Sequence, residues 1–442
     1  MKTISKEELF ECGNQMYSWI SELFPIARSI TGPGVRETIS YLQRLIPELT
    51  MHEVSSGSQF FDWVVPDEWT IRDAYIADDL GNRLIDFKIN NLHLVGYSES
   101  IDAWLDLEEL DKHLYSLPEQ PDAIPYITSY YARRWGFCLT HNQRLALNPG
   151  QYHVVIDSDL KPGVLNYAEL ILPGETDEEV FLSTYICHPS MANNELSGPA
   201  VTAALCQWLQ KYQKRRYTYR IVFIPETIGA IVYLGRNIEH LQQKVVAGFN
   251  VTCVGDERDY SYLPSRQGDS LSDQVAIHVL HHIDPEFKRY TWLDRGGDER
   301  QYCAPGVDLP IASIMRSKYA EYPEYHTSMD DLNLVSPKGL EGSYSALRKA
   351  IEIIERNSYL KSTVFCEPQL GKRGLYPTLS TKESNDQVKT MMNLISYCDG
   401  TRTLLEISNL IEEPFWEVNI IVERLIANGL LEQKYFSLTP TE

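Results

Sequence analysis

Residues 183–198 read STYICHPSMANNELSG, and the fold turns on how this stretch divides. Its first residues close an apolar, β-branched run, EVFLSTYICH (179–188). A strand is expected to end at Cys187, with His188 at its mouth. Asn193, Asn194 and Glu195 then lead into GPAVTAALCQWLQKYQ (198–213), an amphipathic helix. A strand that passes through a polar turn into a helix is one unit of an alternating sheet. In such sheets ligands bind outside the carboxyl ends of the strands.

The pattern repeats outward. YTYRIVFIPE (217–226) reads as a strand ending at Glu226, and ETIGAIVYLGRNIEHLQQK (226–244) as the next helix. VVAGFNVTCVGD (245–256) is a strand and LSDQVAIHVLHHI (271–283) a helix. LPIASIMR (309–316) is a further strand, followed by YPEYHTSMDDLNLV with His326. The alternation predicts an α/β sheet with helices on both faces over about 151–360. His188, Glu226 and His326 each follow a strand, so they can converge on one sheet edge. Imidazoles are good zinc ligands, and a nearby carboxylate can deprotonate water at a metal. A single histidine at a strand end is more often a hydrogen-bonded structural residue; the joint placement carries the argument.

The flanking regions have other textures. EELFECGNQMYSWISELFPIAR and ETISYLQRLIPEL read as helices separated by the loop RSITGPG. From about 49 the chain alternates and is rich in aromatic residues, with a hairpin signal at Gly81-Asn82. The predicted division is an α/β domain at 1–48 and 151–362, an inserted mainly β domain at 49–150, and a domain at 365–442. In the last, GTRTLLEISNLIEEPFWEVNIIVERLIANGLLE looks like a winged helix.

Composition narrows the function. The chain has 442 residues, 43% hydrophobic and 23% charged, with a net charge of -21. That balance argues against nucleic acid or an anionic membrane as the main partner. Residues 405–432 carry many glutamates and a single arginine, Arg424, where a DNA-recognition helix should be basic. Protein contacts or homo-oligomerisation are expected of that domain instead. No stretch approaches the ~20 apolar residues of a membrane span, and the N-terminus has no signal-peptide core. The eight cysteines form no CxxC pair, which fits free thiols in a reducing cytoplasm.

At this point the sequence resembles the zinc aminopeptidase and glutaminyl cyclase clan. NELSG (Asn194–Gly198) falls on the clan's Asp-Asn-x-Ser-Gly, and ETIG (Glu226–Gly229) on its Glu-Glu-x-Gly. NVT (Asn250–Thr252) falls on Asn-x-Asp, GGDERQY with Asp298 on Gly-Ser-Asp, and HTSMD (His326–Asp330) on the late His-Thr-x-x-Asp. The resemblance implies a zinc-exopeptidase-like mixed sheet flanked by helices. With the β insertion and winged helix, the whole chain resembles a bacterial family described as aminopeptidase-like, some members of which are associated with surface polysaccharide biosynthesis. The departures bear on the metal. Of five clan ligands only His188 and His326 are kept, together with the general-base position, Glu226. Asn194, Thr227 and Thr252 stand at the other three. Neutral side chains cannot offset two dications, so a two-zinc centre is rejected.

One zinc ion remains the expectation, with His188, Glu195 and His326 as ligands and Glu226 as catalytic base. Glu195 is the nearest anionic candidate for the third ligand; its other reading is an acid in the first helical turn, favoured by the helix dipole. Asn194 and Asp298 are further candidates. Asp330 is read either as orienting a histidine or as a helix N-cap. Arg266, Arg295 and Arg300 could clamp a carboxylate or phosphate. Tyr319, Tyr322 and Tyr325 could wall the site, and Arg133, Arg134 and Trp135 could cover it. Cys187 is read as a strand residue pointing away from His188. The functional expectation is a mono-zinc amide hydrolase acting on a small peptide or amide. Its rivals are a ligand-binding regulatory protein on the same fold and an acyl-transfer or cyclising enzyme.

Overall fold

The computed structural model of the chain describes residues 5–212, 214–375 and 382–435. Residues 376–381 and 436–442 of the expected C-terminal domain lie outside the described residues. The chain divides into two compact units, 1–270 with 288–345, and 271–287 with 346–442.

The first unit is organised by an eight-stranded mixed sheet. In chain order its strands are β1 (Thr50–Ser55), β2 (Val164–Leu172), β3 (Glu179–Tyr185), β4 (Thr218–Ile224), β5 (Val245–Asn250), β6 (Ser261–Leu263), β7 (Lys288–Arg289) and β8 (Ile311–Met315). Their spatial order is β1-β2-β4-β3-β5-β8-β6-β7. The middle four, β4, β3, β5 and β8, are mutually parallel. Every residue of β3 is buried, as parallel strands covered on both faces require. Helices Ser197–Lys211 and Ile228–Lys244 follow β3 and β4. Gly198 marks a close helix–sheet approach: a Cβ there would lie 2.4 Å from Thr184 Oγ1 and from the Val251 carbonyl. Because the parallel strands share a direction, the loops after Tyr185, Ile224, Asn250 and Met315 open on one edge.

The β region corrects the expected boundaries. Strand Gln151–Lys161, read with the α/β domain, pairs with Glu68–Ala77 and Ile101–Asp106 in a separate four-stranded sheet completed by Arg83–Asp86. Conversely Thr50–Ser55, read with the insertion, pairs with Val164–Leu172 in the large sheet. Alternation shows that a segment is a strand but not which neighbour it pairs with.

In the second unit, Ser358–Ser362 pairs on its two sides with Asp399–Thr403 and Leu431–Tyr435. Helices Leu404–Leu410 and Phe415–Ala427 complete the winged helix. The wing strand therefore begins this domain before residue 365. Helix Leu271–Ile283, read as part of the α/β alternation, clusters with it. His278 on that helix explains why: its Nδ1 lies 2.6 Å from Asn409 Oδ1, and its Nε2 accepts the Phe415 N–H at 2.9 Å.

Candidate metal and amide site

Strand β3 ends at Tyr185, two residues earlier than expected. Cys187 and His188 therefore lie beyond the pleat, and alternation no longer separates them. Cys187 Sγ is 3.4 Å from His188 Nδ1 and accepts the Glu226 N–H at 3.2 Å. Burial pushes the Cys187 thiol up to about 12, so it is a neutral packing partner rather than a thiolate.

His188 is held at both ends of its ring. Nδ1 lies 2.6 Å from Glu195 Oε2, and Nε2 lies 3.4 Å from Glu226 Oε2. Glu195 and Glu226 thus sit at opposite ends of one imidazole. Burial works against charge on His188, but Cys187 and Glu195 outweigh it and hold its pKa well above the ordinary imidazole value. Burial raises the Glu226 carboxyl, against the pull of His188 and Arg300.

His326 arrives from the loop after β8. Its ring centre is 5.4 Å from that of His188. Tyr325 stacks on it at 3.9 Å, and the backbone turns with φ +54. Burial, reinforced by His188, lowers its pKa to about 3. His326 Nε2 is buried and has no hydrogen-bond partner. Asn194 Oδ1, Glu195 Oε1 and Asp298 Oδ2 are likewise buried and unpartnered.

These donors fit a zinc ion. Two imidazoles each about 2 Å from one zinc have ring centres about 5 Å apart, close to the separation observed. A neutral imidazole with an unpartnered nitrogen is the protonation state a metal needs. Among the described residues, the set of three donor atoms lying within 4.8 Å of one another is Cys187, His188 and Glu195. His326 stands outside that set. Glu195, expected as the third zinc ligand, faces Nδ1 of His188 instead, at the end of the ring opposite Glu226.

Other residues fall differently from expectation. Asp330 neither orients a histidine nor caps its own segment. Its carboxylate accepts the N–H groups of Ala192, Asn193 and Asn194 and the Tyr322 hydroxyl. It thereby fixes the π-turn Ala192–Leu196 that carries Asn194 and Glu195. Burial pushes Asp330 up to about 6 despite those donors. Tyr319 bonds Glu299, so of the three tyrosines only Tyr325 meets a site histidine. Asp298 accepts the Thr227 N–H at 2.7 Å. Arg133 pairs with Asp67 and Glu99, Arg134 donates to the Thr128 carbonyl, and Trp135 stacks on His113; these contacts tie them to the insertion itself.

Two site residues escaped the sequence reading. Arg28 is buried and donates through Nε to the His188 carbonyl at 3.0 Å and through Nη1 to the Leu23 carbonyl at 2.7 Å. Tyr126, from the insertion, lies 5.1 Å from both histidine rings, and its N–H bonds the His326 carbonyl. Ser190, Thr227, Cys253 and His326 all have positive φ without being glycine. Strain of this kind gathers at sites of function.

Comparison with known proteins now bears on the chain as a whole. Residues 17–357 match the family described as a domain of unknown function, DUF4910, and residues 358–433 match a winged helix-turn-helix family. A Clostridium acetobutylicum protein, named provisionally as a polysaccharide biosynthesis protein with an aminopeptidase-like domain, is 43% identical over 96% of this chain and 97% of its own. A crystal structure at 2.37 Å from C. acetobutylicum, named provisionally as a peptidase, is 40% identical, covers 97% of this chain and 98% of that one, and has a TM-score of 0.91. A zinc aminopeptidase from Bacillus subtilis is 12% identical over 77% of this chain and 94% of its own, with a TM-score of 0.56. At that distance the likeness concerns the fold alone. Among the described residues no helix is long and apolar enough to cross a membrane. The chain belongs to the DUF4910 family, an aminopeptidase-like α/β domain followed by a winged helix.

Proposed function

We propose that this protein is a mono-zinc amide hydrolase, with His188 and His326 as imidazole ligands, Glu195 as the carboxylate behind His188, and Glu226 as general base. The observation that carries the reading is the buried His188 imidazole beside the half-buried His326, whose Nε2 is buried and unpartnered. Zinc, when bound, supplies a Lewis acid for the amide carbonyl. Glu195 belongs to the site by accepting the Nδ1 proton of His188, and loading the ion would release the proton of Nε2. The free oxygen of Asn194 is the neighbouring candidate for a further donor. Glu226, raised by burial, takes a proton from the attacking water and returns it to the leaving nitrogen. Tyr126 and Tyr325 pack against the two imidazoles and keep bulk water from them. The substrate is a small amide in a cytoplasmic pathway; the name of the C. acetobutylicum relative favours one connected with surface polysaccharide.

One feature favours a second reading, a ligand-binding regulator: Asn194, Thr227 and Thr252 occupy carboxylate positions of the clan. Metal content separates the two. Protein purified without a histidine tag is expected to carry about one zinc per chain, lost in His188→Ala and in His326→Ala. Wild-type protein that stays metal-free after zinc is added and excess removed would leave the regulator as the better account.

A further inference from the structure

Of the three arginines singled out in the sequence, two are already engaged away from the histidines. Arg266 ion-pairs with Asp308. Arg295 lies over Trp292, 5.1 Å from its ring centre. Arg300 is placed otherwise. It is 41% exposed, donates from Nη2 to Thr227 Oγ1 at 2.6 Å, and comes within 3.9 Å of Glu226 Oε1. Among the described residues nothing else hydrogen-bonds its guanidinium, and no other lysine or arginine lies within ion-pair distance of Glu226.

Thr227, which holds it, is a β-branched residue at φ +65, a backbone conformation such residues rarely adopt. Its N–H is pinned by Asp298 and its hydroxyl takes Arg300. The strained backbone thus aims a threonine that orients a guanidinium beside Glu226. The other ionisable groups close to Glu226 include Glu195, Asp298 and Glu299, none of which attracts an anion. A half-exposed guanidinium with most of its fork uncommitted is built to bind a planar or tetrahedral oxyanion through paired hydrogen bonds.

We propose that Arg300 is the anion-recognising residue of this site, and that the substrate is an amide that also carries an oxyanion, carboxylate or phosphate, close to the scissile bond. The proposal rests on the placement of Glu226 at the reacting amide and adds the substrate class to it.

Two matched pairs of small amides test it by calorimetric titration of the full chain. N-acetylglycine against N-acetylglycinamide isolates a carboxylate, and N-acetylglucosamine 1-phosphate against N-acetylglucosamine isolates a phosphate. In the wild type at least one charged probe is expected to bind about tenfold or more tightly than its neutral partner. Arg300→Gln should erase that preference. Arg300→Lys should keep only part of it, because a point charge lacks the fork. Arg295→Gln should leave it intact. Whichever charged probe wins identifies the oxyanion. Equal binding within both pairs, no binding by either charged probe at millimolar concentration, or a preference that survives Arg300→Gln overturns the proposal. Because the readout is binding, a protein that binds with this preference yet hydrolyses no amide would sink the hydrolase reading and leave the anion site standing.

Discussion

The two ends of β3 and β4 are buried alike and built to opposite ends. At their amino ends, Arg220 is enclosed: it donates to both oxygens of Glu179, to Glu169 and to the Tyr233 hydroxyl, and its Nη2 lies 3.1 Å from His240 Nε2. At their carboxyl ends, His326, Asn194, Glu195 and Asp298 each keep a buried polar atom without a partner. A buried group left unsatisfied costs about 1–3 kcal/mol, and folded proteins carry few of them. Four in one small region mean that this end was not shaped for folding stability. The amino ends are closed by a charged network, and the carboxyl ends leave buried polar atoms open.

The largest test of that contrast is Arg220→Met. It takes the guanidinium from Glu169 and Glu179, both largely buried, leaving them the Tyr233 hydroxyl and His240, and should cost about 3–5 kcal/mol in urea unfolding. A loss below about 1 kcal/mol would mean that the amino-end network is as dispensable as a surface ion pair.

Arg28→Met probes the link between the two kinds of region. Arg28 lies under the site but is bonded as a structural residue, to two carbonyls. Burial depresses its pKa to about 10, so it remains charged at neutral pH. Removing it should cost about 2 kcal/mol and weaken zinc retention, because the His188 carbonyl loses its anchor. Unchanged zinc content beside the lost stability would assign Arg28 to the fold alone.

The two most depressed histidines sharpen the comparison further. His278 has both nitrogens engaged, whereas His326 has one free. Since His278 Nε2 accepts an N–H, a proton added there would face the Phe415 donor. Burial, with His281 and His282 nearby, lowers its pKa from 6.5 to about 4. The folded value lies below the unfolded one, so the stabilisation is complete above about pH 6.5 and is lost as pH falls toward 4. Between about pH 7 and pH 5.5 the second unit should lose about 1 kcal/mol, seen as faster amide exchange in helix Phe415–Ala427. His278→Gln should flatten that pH dependence; an equal slope in the variant would place its origin elsewhere.

Much of this was open to reading in the sequence, and for physical reasons. Runs such as EVFLSTY and YRIVFI have no polar alternation, because both faces of a central parallel strand are covered. Groups placed just after such strands must share an edge, which brings His188, Glu226 and His326 together from three distant segments. What stayed hidden depends on contacts that leave no local pattern. Arg28 reaches the carbonyl of a residue 160 positions away. Tyr126 enters from the insertion. The end of His188 that Glu195 approaches is set by a π-turn that Asp330 holds from across the site. Helix Leu271–Ile283 carries a regular helical pattern, which says nothing about the unit it packs into.

The smallest expected effect on stability is the most telling. His326→Ala removes a half-buried aromatic side chain, which in an ordinary core costs about 2 kcal/mol or more. Here the same change removes a desolvated nitrogen with no partner; alanine tolerates the backbone at φ +54 no better than histidine, so the compensation comes from the side chain alone. The losses and gains nearly cancel, and unfolding of the metal-free variant should stay within about 0.5 kcal/mol of metal-free wild type. Zinc retention should nevertheless vanish. A loss of several kcal/mol without metal would make His326 a structural residue like Arg220 and erase the distinction between the two ends of the sheet. Little change in stability together with lost zinc would mean that the open nitrogen is kept, against its folding cost, for the ion that fills it.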